Sequence, residues 1–365
     1  MSESNSTIEC TIGVGCFLRY SVAWTTGYCV AYASIFLLGI IGNGCVLNII
    51  YRNNSMRTTF HFLLVNLAVA DLQVVVFYLP ATLVGHIFGP WILGLFICKA
   101  ATYLQGVSVC ASVHTLVAIS IDRFLAICHP MKCQMTSRGC KFIIVAIWVV
   151  SFVLLLPWVF YFRLTPMYSN GNYGLQVCQE VWPTERMEMM YFVVANLLLC
   201  YLLPLSVISL CYILIWRRVW LRKLPGEAQE QEVERMIQRS KIKVAKMLLV
   251  VIVVFAVSWL PLYAIFARIK IGDKIIEGTL EDSIISIVAP VAQWLGASNS
   301  CINPVLYVFF NSKFRTGFKV ILFKRYCCRD IDYQDERDKT FRNALYLSRK
   351  TKQVDGSQIN TKCVS

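Results

Sequence analysis

The chain has 365 residues, of which 57% are hydrophobic and only 15% charged. Soluble domains carry about 25% charged residues, so a water-soluble globule is excluded and the excess of apolar side chains calls for a lipid environment. The formal net charge of +14 would suit a nucleic-acid binder, but such a protein gathers Lys and Arg on one polar face interleaved with aromatics; here the basic residues lie between apolar blocks.

Crossing a bilayer core takes about 20 apolar residues, and seven blocks qualify: 24–51, 58–86, 95–128, 141–163, 187–220, 240–269 and 283–310. Their continuity excludes a β-barrel, whose strands alternate over about ten residues. Several exceed the minimum length, which implies tilt or extension beyond the lipid. The fold class expected is therefore an all-α membrane protein, a seven-transmembrane helix bundle occupying residues 24–310.

Residues 1–23 form the expected extracellular N-terminal segment. Asn5-Ser6-Thr7 is a glycosylation sequon there, with Asn5 as acceptor. The first 20 residues lack a basic start followed by an apolar core, so the first span is expected to act as signal anchor. Cytosolic loops carry the excess of Lys and Arg. The inter-helix segments with Arg52 and Arg57, with Lys132, Arg138 and Lys141, and with nine basic residues between Arg217 and Lys246 therefore face inward. The stretch from Gly272 to Asp282 holds Asp273, Glu277, Glu281 and Asp282 against one lysine and faces outward.

The second span carries Asp71. An ionised group at the bilayer centre costs about 2.5 to 3.5 kcal/mol on insertion scales, so Asp71 must face the bundle interior and find a partner or a cation. In the third span Gln105, Ser108, Ser112, Thr115, Ile119 and Arg123 share one helical face, and Asp122-Arg123 closes its cytosolic end with adjacent opposite charges. The fifth, sixth and seventh spans contain Pro204, Pro261 and Pro304, each of which removes a backbone hydrogen bond and marks a bend or pivot. The polar stretch Pro225 to Ser240 has helical spacing and extends a span into the cytosol. Gln293, Gly296, Ser300, Asn303 and Tyr307 form a second inward stripe on the seventh span.

Residues 311–328 read as an amphipathic eighth helix lying parallel to the membrane. Phe314, Phe318, Ile321, Leu322 and Phe323 alternate there with Lys313, Arg315, Lys319, Lys324 and Arg325, and Cys327 and Cys328 follow as candidate palmitoylation sites. Residues 329–365 are expected to be a disordered cytoplasmic tail. Among the 16 cysteines, most sit in spans as small hydrophobes. Cys98 and Cys178 share the oxidising side and can form a disulfide; Cys10, Cys16 and Cys29 leave a second bridge open. The chain has no HExxH, no GxSxG and no paired catalytic carboxylates, and its four histidines form no ligand cluster, so an enzyme is not expected.

The motifs in order resemble the rhodopsin-like (class A) G-protein-coupled receptors from about Trp24 to Cys328. They are Gly42-Asn43, NLAVAD ending at Asp71, Cys98, Asp122-Arg123-Phe124, Trp148, Pro204 with Tyr212, FAVSWLP from Phe255 to Pro261, and NPVLY from Asn303 to Tyr307. The resemblance implies an allosteric sodium pocket at Asp71, Asn43, Ser112, Asn299 and Asn303; beyond that ion no metal or cofactor is expected. It makes Asp122, Arg123, Tyr212, Phe255 and Tyr307 residues of G-protein activation, with Met131 packing on the G protein. Trp259 resembles the toggle beneath the ligand, above a relay of Pro204, Val113 and Phe255. Phe124 stands where a tyrosine is usual, and Ser258 where a cysteine is usual.

Gln105 occupies the position where amine receptors of this family carry aspartate, and Ala297 that where opsins carry the retinal lysine. Glutamine there, and the loop CQEVWP from Cys178 to Pro183, resemble receptors for neuropeptide Y, orexin and RFamide peptides, including neuropeptide FF. The resemblance implies a cell-surface neuropeptide receptor at the plasma membrane, with extracellular N-terminus and cytoplasmic C-terminus. Its ligand is an amidated extracellular peptide contacting Gln105, Ser108, Glu180, Trp259, Tyr263 and Gln293. Heterotrimeric G protein, arrestin, receptor kinases and membrane lipid are the implied partners, and nucleic acid is not one. Glu180 offers a carboxylate to a basic peptide, and Glu185, Glu188 and the acids of 273–282 add a negative rim. Lys270 stands where several such receptors carry an acid that pairs with a ligand arginine. The alternatives are a lipid or nucleotide receptor of the same class and a cation-coupled transporter built on Asp71, against which stands the lack of an internal repeat.

Overall fold

The structure, a computed structural model, describes residues 18–129, 135–167, 175–221, 228–276 and 278–323. Asn5, Cys10, Cys16, Met131, Glu277, Cys327, Cys328 and the tail lie outside them. Seven long helices follow the expected order: α1 Val22–Arg52, α2 Thr59–Ile87, α3 Gly94–Cys128, α4 Ser137–Tyr161, α5 Glu185–Trp220, α6 Ala228–Ile271 and α7 Leu280–Phe310. A short α8, Ser312–Phe323, packs against α1 and α7. Six of the long helices are apolar enough to cross a membrane by composition. The seventh, α7, has 31 residues, but Gln293, Asn299 and Asn303 dilute its apolarity. The polar stretch before the sixth span is helical from Ala228, so α6 reaches 44 residues.

Helix starts follow local chemistry. Thr136, Thr184 and Thr279 each accept a hydrogen bond from the backbone N–H three residues on, at 3.1, 3.3 and 3.3 Å, a cap worth about 1 kcal/mol. Proline shapes the interiors. Immediately before Pro80 and Pro204 the backbone widens into π-helical stretches, Val74–Tyr78 and Phe192–Leu202, where Leu79 N–H reaches Val74 O and Leu203 N–H reaches Leu198 O. Proline donates no hydrogen bond and crowds the turn before it; an extra residue in that turn relieves the crowding. Pro261 and Pro304 sit inside continuous helices. Pro80 was not among the bends expected from sequence.

The core runs down the bundle centre through Leu63, Leu64, Leu67, Val113, Leu116, Ile119, Phe255, Tyr307 and Phe314, all within 2% of complete burial. Apolar residues at i, i+3, i+7 and i+11 on α4 (Phe142, Val145, Val149 and Val153) face outward, a surface stable only against lipid. Glycine sets the closest helix approaches. A Cβ on Gly42 would lie 2.9 Å from Pro304 Cβ, and one on Gly39 would lie 2.6 Å from Val75 Cγ2. These two contacts fix α1 against α7 and α2. Near the C-terminal end of α1 a Cβ on Gly317 of α8 would meet Ile49 at 2.8 Å.

Between α4 and α5 a hairpin forms from β1 Phe162–Pro166 and β2 Gln176–Glu180, paired antiparallel with Leu164 opposite Cys178. The Cys98–Cys178 disulfide ties β2 to the N-terminal end of α3. Cys29 is a free thiol.

Candidate functional site

Beneath the hairpin the bundle encloses a cavity of about 540 Å³. Gln105, Glu180, Trp259, Tyr263 and Gln293 all line it, so residues from α3, α6, α7 and β2, up to 188 positions apart in the chain, share one space. Ser108 is set apart: it is fully buried, and its hydroxyl donates to Leu104 O at 2.7 Å. Three residues beyond Gln105, it lies about 60° round the helix, enough to turn it into the packing between helices. Tyr78 and His86 line the same cavity as Gln105 and Gln293. The lid is tied down by Trp91 N–H donating to Gln176 O at 2.7 Å, and the segment before α1 is held to the end of α2 by Arg19 N–H donating to Ile87 O at 2.9 Å. Arg19 thereby contributes a cation to the lining.

The electrostatics of the mouth differ from the sequence expectation. Glu180 Oε2 accepts from Lys270 Nζ at 2.9 Å and Oε1 accepts from Trp182 Nε1 at 2.7 Å, so this carboxylate is already engaged. Lys270 is shared with Glu188 of α5. Glu281 pairs with Arg268 at 2.6 Å and Glu185 with Lys274 at 2.8 Å, while Asp282 caps Gly278 N–H at 3.1 Å. Glu185 and Glu281 are thus paired one to one and Glu180 and Glu188 share a single lysine, so the expected negative rim is reduced rather than removed. Partners separated by 90 and 82 positions, as in the Lys270 cluster, leave no local signal that reading along the chain could find.

Below Trp259 lies a layer of buried polar groups from four helices. Asn303 Nδ2 donates to Asp71 Oδ2 at 2.8 Å. Asn43 Nδ2 donates to Ser300 O at 2.9 Å and to Gly39 O at 3.0 Å. Ser112 Oγ and Asn299 Oδ1 are buried without a hydrogen-bond partner. A second network crosses α2, α3 and α4: Asn66 Nδ2 donates to Thr115 Oγ1 at 2.7 Å, and Trp148 Nε1 donates to Asn66 Oδ1 at 2.8 Å. The stripe on α3 had pointed to Thr115, and Trp148 had stood out only as a motif; that Asn66 joins them appears only when three helices are assembled.

At the end of the bundle away from the hairpin Arg123 is paired with Asp122, Nε donating to Oδ2 at 3.1 Å, and its guanidinium lies 4.3 Å over the Phe60 ring. The hydroxyls of Tyr212 and Tyr307 are buried and unpartnered. Phe255 packs beneath Trp259, ring centroids 6.3 Å apart. A continuous column therefore leads from the cavity floor through the Asp71 layer toward Arg123.

Residues 42–307 match the family described as 7 transmembrane receptor (rhodopsin family). The RYamide receptor of Drosophila melanogaster is 34% identical over 311 residues, covering 81% of this chain and 64% of its own length. Neuropeptide FF receptor 1 of Rattus norvegicus is 33% identical over 339 residues, covering 89% of the chain and 77% of that protein. Neuropeptide FF receptor 2 of Mus musculus is 35% identical over 298 residues, covering 79% and 70% respectively. The chain thus spans a little under two thirds of the RYamide receptor.

Proposed function

The chain belongs to the rhodopsin family of seven-transmembrane receptors, a family of receptors rather than enzymes, and from that premise we propose that it binds an extracellular peptide and activates a heterotrimeric G protein. The observation that carries the reading is the lidded cavity, large enough for the end of a peptide and floored by Trp259, standing directly above the buried polar column. The names of the three relatives favour a peptide. We take the peptide to be amidated, the N-terminus to be extracellular, and arrestin and receptor kinases to be partners at the cytoplasmic face.

Activation on this reading is a shift between two populations, driven by tighter binding of the ligand to one of them. Ligand contact at Gln105 and Trp259 displaces the Trp259–Phe255 stack. The unpartnered Tyr212 and Tyr307 hydroxyls are groups with hydrogen bonds still to gain, so a rearranged inner end releases Arg123 from Asp122 toward the G protein. The resting arrangement is the one with Arg123 held by Asp122 and Phe60.

A sodium ion fits the Asp71 layer. A carboxylate and two buried oxygens without partners, Ser112 Oγ and Asn299 Oδ1, form the hard oxygen donor set such a cation takes. When bound it would supply positive charge beside Asp71, and Asn303 would orient that carboxylate.

A library of amidated peptides applied to cells expressing the chain, read out by G-protein dissociation, tests the proposal. A peptide response that Gln105→Ala weakens and Trp259→Ala blunts is the expected result. Silence to peptides with a response to a lipid or nucleotide overturns the ligand, and unchanged potency and maximum in both variants overturns the site. Sodium should lower agonist affinity in the unmodified chain and leave Asp71→Asn unaffected.

A further inference from the structure

Two free thiols stand on the cavity floor that the proposed signalling path does not use. Cys110 of α3 and Cys200 of the π-helical stretch of α5 both line the cavity, and both are nearly fully buried. They pack in one cluster with Val107 and Leu155. Most buried cysteines in this chain, such as Cys45 and Cys211, do not line that cavity, and they behave as small hydrophobes. The Cys110–Cys200 pair differs because a small solute entering the cavity reaches both sulfurs, on the side of the membrane where disulfides persist.

A hydrogen-bond donor stands beside the pair. His114 Nδ1 lies 3.5 Å from Cys110 Sγ and 2.8 Å from Cys110 O. Nδ1–H donates to that carbonyl, and the same N–H faces the sulfur, where it can hydrogen-bond a thiolate. The thiolate is the reactive form of cysteine. Cys200 precedes Pro204 in a widened turn, so the backbone that carries it can adjust to bring its sulfur onto a partner.

We propose that Cys110 and Cys200 form a site of reversible oxidation in the floor of the ligand cavity, closing to an α3–α5 disulfide when a peroxide enters. The Cys110 thiolate attacks one peroxide oxygen, giving a sulfenic acid and water. Cys200 then attacks the sulfenic sulfur, forming the S–S bond and releasing a second water. The sum is two thiols plus hydrogen peroxide giving one disulfide and two waters, and a dithiol reductant reverses it.

The test needs no knowledge of the natural ligand. Purified full-length protein is treated with graded hydrogen peroxide, free thiols are blocked with N-ethylmaleimide, and the protein is digested without reductant for peptide mapping. The expected result is a linked Cys110–Cys200 peptide, formed at about tenfold less peroxide than oxidises Cys45 and removed by dithiothreitol. In Cys200→Ser, Cys110 should stop at the sulfenic acid and become trapped by dimedone, and His114→Gln should slow bridging several-fold. Should either variant fail to fold, the map of the unmodified protein still decides. Both thiols remaining open to maleimide at doses that oxidise Cys45, or Cys110 found linked to Cys98 or Cys178, overturns the site.

Discussion

Lys270 holds three elements together, and Lys270→Met removes its charge while keeping an unbranched apolar stem. Its side chain is 18% exposed, and those of Glu180 and Glu188 are 17% and 24% exposed. Two unit charges 4 Å apart attract by about 4 kcal/mol at an effective dielectric of 20. Breaking a fully buried pair costs about 3 to 5 kcal/mol because a charge is left uncompensated. Here water reaches all three groups and Trp182 still donates to Glu180, so a loss of about 2 kcal/mol follows after discounting for partial exposure. At about 2 °C per kcal/mol for a large domain, the purified protein should melt roughly 4 °C lower, as read by thermal unfolding in detergent. Adding Glu180→Gln and Glu188→Gln removes the mutual repulsion left behind and should restore about half of the loss. The reasoning fails if Lys270→Met melts within about 1 °C of the parent, or if the two glutamines lower the midpoint further.

Asn66→Ala leaves Trp148 Nε1 without its acceptor, while Thr115 Oγ1 still donates to Ala111 O at 2.6 Å; with about 1 to 3 kcal/mol for a buried group left unsatisfied, a thermal shift similar to that of Lys270→Met is expected, and no shift would refute the three-helix network. Gly42→Ala drives a Cβ against the rigid Pro304 ring at 2.9 Å, an overpacking cost of about 1 to 3 kcal/mol visible as a lower melting temperature, whereas Gly44→Ala, with nothing within 4 Å, should be neutral. Tyr212→Phe and Tyr307→Phe each delete a buried hydroxyl that has no partner here, so they should hold or raise the resting melting temperature while lowering maximal G-protein activation; lost stability with intact signalling would show that these hydroxyls serve the resting state.

Much of the bundle can be read along the chain. Apolar length places the seven spans, because each must cross the same hydrocarbon thickness. Asp71 had to face inward because a charge in lipid is costly, and its bond to Asn303 meets that demand. Gln105, Trp259 and Gln293 do share a cavity, since stripes on α3 and α7 are properties of single helices, set by 100° per residue. The same periodicity left Ser108 on the cavity face, where a rotation of about 60° removes it. Pro204 marked a disturbed helix, although the form of the disturbance, a π-helical widening, depends on how neighbouring turns pack.

Composition, span number, inward polar faces, helix caps and family motifs were determined by the sequence itself, because each follows from local periodicity or from the cost of exposing a group to lipid. The tertiary structure alone decided that Lys270 pairs with both Glu180 and Glu188, that Asn66 bridges Thr115 and Trp148, that Phe60 lies under Arg123, and that Cys110 packs with Cys200. Each of these joins residues from different helices. Which faces meet depends on the rotation and depth of every helix against its neighbours, which close contacts such as Gly42 on Pro304 fix across the whole bundle.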